Sequence, residues 1–373
     1  MKFLILTHVI HKRHDSQWFA YAPYVREMNA WLKYVDEVEI VAPCDKEQPT
    51  HIDMAYQHGA IKFTRIPEIA FVSFKRAIFS MLLIPKISIK IFKACLRADH
   101  IHLRCPGNIG LLGCLVQIFF PHKTKTAKYA GNWDPKAKQP LSYRFQKWLL
   151  SHTFLTKNMQ VLVYGHWENQ SKNIKPFFTA TFKDEEKQVP IKRHYHAVLH
   201  FVFIGSLVAG KRPLFAVKVV EALSKQGRKV RLDIYGDGIL KNDLEQYIID
   251  KHLESIVKWH GNQQKVLIKA VLKTAHFLIL PSKSEGWPKA IAEAMFFGAI
   301  PIAAPISCVP DMLDYGKRGI LITAELDHAI HTINTHLDDE ATLQKMSEAA
   351  SKWSQHYTLD VFETEISKLL QHS

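Results

Sequence analysis

Long apolar runs are missing from this chain of 373 residues. No window reaches the roughly 20 apolar residues that a membrane-spanning helix needs, and the longest uncharged stretch, within residues 105–122, is interrupted by Pro106 and Asn108. Met1 to Leu6 is too short for a secretory leader and reads as a first strand, so the chain is expected in the cytoplasm. Cysteine is scarce: Cys44, Cys95, Cys105, Cys114 and Cys308 are odd in number and scattered, with no C-x-x-C pair. That excludes a disulfide framework, a zinc ribbon and a dithiol redox centre. Internal repeats and low-complexity tracts are absent too. What remains is a globular chain, 47% hydrophobic and long enough for two domains.

Acidic residues are few in the first half. Residues 1–175 hold 25 Lys+Arg against 12 Asp+Glu, and the remainder holds 24 against 23. The asymmetry points to an anionic partner for the first half, lipid or nucleic acid, against the plainer reading of a solvated basic surface. After Pro85, the residues Lys86, Lys90, Lys93 and Arg97 recur along one side of a helix, and Ile87, Ile91 and Ala94 along another, with Phe92 and Leu96 adding apolar bulk. This predicts a basic amphipathic helix suited to an anionic membrane surface, placing the protein peripherally at the inner face of the plasma membrane. The plainer reading turns Ile87, Ile91 and Ala94 to the core. No nucleic-acid-binding module is recognisable, so no nucleic acid partner is expected.

Strands at Lys2–Thr7, Glu37–Val41, Ile61–Ile66 and His100–Leu103 alternate with helices, which predicts an α/β fold with an open parallel sheet. The loop after the first strand places His8, His11 and His14 three apart before a helix from Trp18 onward; as a metal site it has no carboxylate or cysteine partner at ligand spacing, and binding loops often carry such histidines. Residues 180–197 are highly charged and aperiodic, the composition of a linker. The expected division is 1–182, a linker at 183–197, 198–352, and a closing helix at 353–373 that crosses back to the first domain.

The densest chemical signal lies between Ile279 and Pro305. Phe277 to Leu280 reads as a buried parallel strand ended by Pro281. Pro288 suits the first helical position, Ala290, Ile291, Ala294 and Met295 recur at helical spacing, and Gly298 is a C-terminal stop. Glu285 therefore lies on the loop and Glu293 within the helix. A helix N-terminus after a parallel strand offers unpaired N–H groups to a phosphate, and carboxylates grip sugar hydroxyls. Read singly, Glu293 pairs with Lys289 one turn earlier and Glu285 is a solvated loop residue. Together, Pro281, Ser282, Glu285, Gly286, Pro288, Ala292, Glu293, Ala294, Gly298 and Pro301 resemble the E-x7-E signature of the family 4 group of retaining glycosyltransferases. That family has the GT-B fold, two Rossmann-like domains facing across a cleft.

The resemblance implies a metal-independent hexosyltransferase of cell-surface polysaccharide or glycolipid synthesis. Its co-substrate would be a nucleoside diphosphate sugar and its acceptor a glycan or lipid-linked sugar. It makes Glu293 a ribose ligand and Glu285 the residue that positions the sugar, with Gly286, Trp287 and Pro288 on the same donor loop. It places the diphosphate against Gly205 and Lys211. Ser206 stands where relatives have an arginine, and Arg212 is the nearest substitute. Gly236 and Gly261 would border the nucleotide, and Ser307-Cys308 replaces a Gly-Gly pair. No D-x-D motif occurs, so Lys211, Arg212 and the helix near Pro288 are expected to carry the leaving-group charge. On the acceptor side the candidates are His11, Asn132, Asp134 and, as a stacking platform, Trp133, the alternative being a turn-forming Asn and a packed Trp. The drifted positions also admit a non-catalytic nucleotide-sugar-binding subunit.

Overall fold

The computed structural model describes residues 1–50, 52–69 and 74–371, without the side chains of 74–77. The chain divides into two compact units, Met1–Phe178 with Phe362–Ser373, and Thr179–Val361.

The first unit is built on β1 (Lys2–Leu6), β4 (Glu37–Pro43), β6 (Ile61–Ile66), β7 (His100–Cys105), β8 (Thr124–Tyr129), β9 (Met159–Tyr164) and β10 (Ile174–Phe177). They form one parallel sheet in the order β10-β9-β8-β7-β1-β4-β6. Helices α1 (Ala22–Leu32), α2 (Phe74–Arg97), α3 (Asn108–Val116) and α4 (Leu141–Ser151) belong to this unit. β1 and β9 are largely apolar, as strands covered on both faces of a parallel sheet are.

Three expectations change here. The histidine loop is a hairpin, β2 (His11–His14) and β3 (Gln17–Tyr21), joined to β5 (Asp53–Ala55), and α1 starts at Ala22 rather than Trp18. Asp15 and Ser16 both take positive φ, 46° and 63°, as a two-residue hairpin turn demands. Second, α2 runs through Pro85 from Phe74. Third, Ile87, Ile91 and Ala94 are fully buried in the core, so the plainer reading of that face is correct.

The second unit is a parallel sheet of β11 (Leu199–Ile204), β12 (Val230–Tyr235), β13 (Val257–Trp259), β14 (Phe277–Leu280), β15 (Ile300–Ala303) and β16 (Ile320–Leu321). Its order is β13-β12-β11-β14-β15-β16. Helices α5 (Pro213–Lys225), α6 (Lys241–Asp250), α7 (Lys265–Thr274), α8 (Lys289–Phe296), α9 (Val309–Met312), α10 (Leu326–Leu337) and α11 (Glu340–Ser354) complete it. The stop at Gly298 forms as expected: with φ at 78°, Gly298 N donates to Met295 O and Ala299 N to Ala294 O. The charged segment before β11 is not a free tether. Arg193 is buried and donates to the carbonyls of Ala275 and Phe297 at 2.7 and 2.8 Å. The terminal helix α12 (Leu359–Gln371) begins six residues later than Trp353, and Phe362 packs against Phe177 and Phe178 in the first unit.

Candidate functional site

A parallel sheet opens a crevice at the carboxyl ends of its strands where the strand order reverses. In the second unit the chain runs outward from β11 to β12 and β13, then returns to the other side of β11 at β14. The crevice is therefore bordered by the loops that follow β11 and β14, which carry Lys211 and Glu285. These two side chains meet, with Lys211 Nζ donating to Glu285 Oε1. The carboxylate side chain is 9% exposed and the lysine side chain 28%. Arg212 turns the chain into α5 at φ 53°, and its Nη1 donates to Pro281 O at 3.2 Å. Two cations thus converge on the Glu285 loop. The backbones are tied as well, Lys283 N donating to Gly210 O at 2.7 Å.

Gly236, at φ 140°, lies so close to β11 that a Cβ there would come within 2.0 Å of Gly205 O. Only glycine fits. Gly236 N donates to Gly261 O at 2.9 Å, so Gly205, Gly236 and Gly261 form a continuous floor across the ends of three strands. Ser206 is exposed beside it.

On the other side of the crevice, α8 starts at Lys289, and Pro288 is its cap rather than its first helical residue. The first turn of α8, the positive end of its dipole, follows directly on the Glu285 loop. Ser307 keeps the backbone a glycine would take, φ 51°, and Ser307 Oγ and Cys308 Sγ both donate to Gly286 O, at 3.4 and 3.1 Å. Burial pushes the Cys308 thiol up to about 12, which keeps it protonated as a donor. The pair that replaces Gly-Gly is a clamp on the Glu285 loop, a role no spacing rule would have found. Trp287 stacks on Trp353 of α11, ring centroids 6.2 Å apart, and meets Tyr357 edge-on. Glu293 accepts from Thr181 Oγ1 at 2.7 Å. Thr181 lies at the edge of the segment that reads as a linker, and sequence reasoning missed it.

In the first unit the order reverses between β1 and β7. The residue at that crevice is His8. It is exposed, its imidazole lies against Gly107 at the start of α3, and partial burial together with the Arg104 charge lowers its pKa. His8 stands two residues past the end of β1, a position that the sequence itself marks by the close of the apolar run.

His11 is buried, with Nδ1 on Val9 O at 2.8 Å, Nε2 on Tyr56 OH at 2.7 Å and its ring stacked on Tyr56. Burial lowers its pKa to about 4. It is a core histidine, not an acceptor contact. Trp133 is 1% exposed, edge-on to Tyr129, and its Nε1 donates to Gln170 Oε1 at 2.9 Å. No face is left for a sugar ring. Asn132 Oδ1 accepts from Asp134 N and Asp134 Oδ1 from Lys136 N, both at 2.8 Å, so these two residues form turns. Lys147 fastens the segment by donating to Trp133 O and Asp134 O at 2.7 and 3.0 Å.

Solved structures match the whole chain. That of HepE from Anabaena, in complex with UDP and glucose, superposes with a TM-score of 0.68, 16% identity and 100% of both chains covered. Sucrose-phosphate synthase from Thermosynechococcus elongatus superposes with a TM-score of 0.65, 12% identity, and 100% and 98% coverage. The fold is GT-B. Within this GT-B chain, residues 184–353 match the family model for glycosyl transferases group 1. The chain is 27% identical over 183 residues to the putative colanic acid biosynthesis glycosyltransferase WcaL of Escherichia coli, 46% of this chain and 45% of that protein. It is 28% identical over 143 residues to the amylovoran biosynthesis glycosyltransferase AmsK of Erwinia amylovora, covering 37% and 35%. The chain thus spans less than half the length of these curated relatives.

Proposed function

We propose that the chain is a retaining glycosyltransferase that takes a hexose from a nucleoside diphosphate sugar and places it on a glycan or lipid-linked acceptor in surface polysaccharide synthesis. The observation that carries this reading is the Lys211–Glu285 pair at the reversal between β11 and β14, with Arg212 and the start of α8 beside it. These groups supply positive charge to a diphosphate without a metal, and a carboxylate that is released when Lys211 turns to the phosphate. The bond from the anomeric carbon to the diphosphate oxygen breaks while the bond to the acceptor oxygen forms on the same face, and the departing diphosphate takes the acceptor proton. Glu293 holds the ribose and Glu285 a sugar hydroxyl. Retention rests on the resemblance of the E-x7-E spacing. The names of WcaL, a putative colanic acid biosynthesis glycosyltransferase, and AmsK, an amylovoran biosynthesis glycosyltransferase, support the acceptor class.

The test is a panel of nucleoside diphosphate sugars incubated with the purified protein, with and without chelator, followed by detection of released nucleoside diphosphate. Release with one donor in the presence of chelator supports the reading. Tight binding of a donor without release, even when glycan acceptors are added, would favour a non-catalytic binding subunit.

A further inference from the structure

Helix α2 has two apolar faces. One, with Ile87, Ile91 and Ala94, fills the core of the first unit. The other points outward: Ile78, Leu82, Ile89 and Leu96 recur at intervals of four and seven along one line, and are 46%, 74%, 56% and 57% exposed. An outward line on a helix of a globular protein is ordinarily polar. Beside it, on one flank of the same helix, stand the exposed Lys86 and Lys93.

The apolar surface continues onto the neighbouring helices, since α3 packs against both α2 and α4. Phe119, just after α3, is exposed and meets Phe92 edge-on with centroids 6.3 Å apart. On α4, Leu141, Phe145 and Trp148 form a second exposed line at helical spacing. Among the described residues nothing covers this face. Its charge is one-sided: α2, α3 and α4 contain no acid, while Lys86 and Lys93 on α2 and Arg144 on α4 are exposed. No helix of the described chain is long and apolar enough to cross a membrane.

We propose that the α2–α3–α4 face of the first unit is a membrane-docking surface for an anionic bilayer, with Ile78, Leu82, Ile89, Leu96 and Trp148 entering the headgroup boundary and Lys86 and Lys93 on lipid phosphates. Exposed apolar side chains with a basic flank are what interfacial binding requires. A second copy of the chain would bring the same basic flank against itself, and the missing acids make that pairing repulsive. The docking inference does not depend on transfer chemistry. Its consequence that the acceptor is lipid-linked rests on the reading given under Proposed function.

The test is co-sedimentation of the full chain with vesicles of phosphatidylcholine containing about one third phosphatidylglycerol. The protein is expected to pellet with these vesicles at low salt, to stay in the supernatant with pure phosphatidylcholine, and to release as salt screens the charge. Lys86→Glu with Lys93→Glu should lower the partition about tenfold or more. Leu82→Gln, Ile89→Gln and Leu96→Gln together should lower it comparably at unchanged charge. All five side chains are exposed, and far-UV circular dichroism with thermal unfolding of the full chain checks that the first unit of each variant is folded. Wild type remaining in the supernatant with acidic vesicles at low salt would overturn the proposal, and so would full binding by the triple glutamine variant or a stable dimer that fails to bind. Loss of donor turnover with vesicle binding intact would sink the transfer reading and leave docking standing.

Discussion

The sharpest consequence of the Lys211–Glu285 pair is that removing the lysine should harm nucleotide binding more than the loss of one contact. A charge-assisted hydrogen bond to a diphosphate contributes about 1.5–3 kcal/mol. Lys211→Ala also strands Glu285, whose side chain is 9% exposed, beside the incoming anion. Two like charges about 5 Å apart at an effective dielectric near 20 repel by about 3 kcal/mol, and solvent access through a partly exposed site reduces that to roughly 1 kcal/mol. The combined loss is about 2.5–4 kcal/mol, or on the order of 100-fold to 1000-fold in dissociation constant. Isothermal titration with UDP, GDP and ADP measures it for whichever nucleotide binds wild type. The double variant Lys211→Ala, Glu285→Gln should recover about fivefold over Lys211→Ala alone, because the stranded charge is gone. A folded Lys211→Ala protein with an unchanged dissociation constant refutes the diphosphate assignment. Strict additivity in the cycle refutes the coupling.

The two glutamates should separate kinetically: Glu293→Gln weakens free nucleotide, whereas Glu285→Gln leaves nucleotide affinity within about threefold and lowers kcat, and equal effects on binding would contradict the division of roles. Trp133→Ala should cost about 3–5 kcal/mol of stability, read by urea denaturation, because the indole is packed and bonded rather than presented to ligand. A selective rise in acceptor KM at unchanged stability would restore the stacking role. Acid should destabilise the first unit through its buried histidines. Burial holds His11 at about 4 and His100 and His102 at about 3, below the unfolded value of 6.5. The unfolded chain therefore binds the extra protons as pH falls from about 6.5 towards 4, and each unit costs about 1.4 kcal/mol per histidine. Thermal unfolding should drop steeply across that window, and a flat profile there would contradict the burial of these rings.

How much of this was legible in the sequence follows from the range of the forces involved. The strand from Phe277, its end at Pro281, the helix bearing Glu293 and the stop at Gly298 are set by neighbours within a few residues, through apolar runs, a missing proline N–H and a left-handed glycine. The alternation of strands and helices that makes each unit a parallel sheet is equally local in origin. The hairpin at Asp15 and Ser16 escaped notice because neither residue is the glycine that usually marks such a turn. Burial and encounter were beyond reach. Whether His11 and Trp133 meet ligand or core, which apolar face of α2 is covered, that Thr181 holds Glu293 and that Lys211 meets Glu285 across 74 residues of chain all depend on which distant segments the sheets bring together. A side chain's type records what it can bond to, and only the folded topology decides whether water, core or another loop stands opposite it.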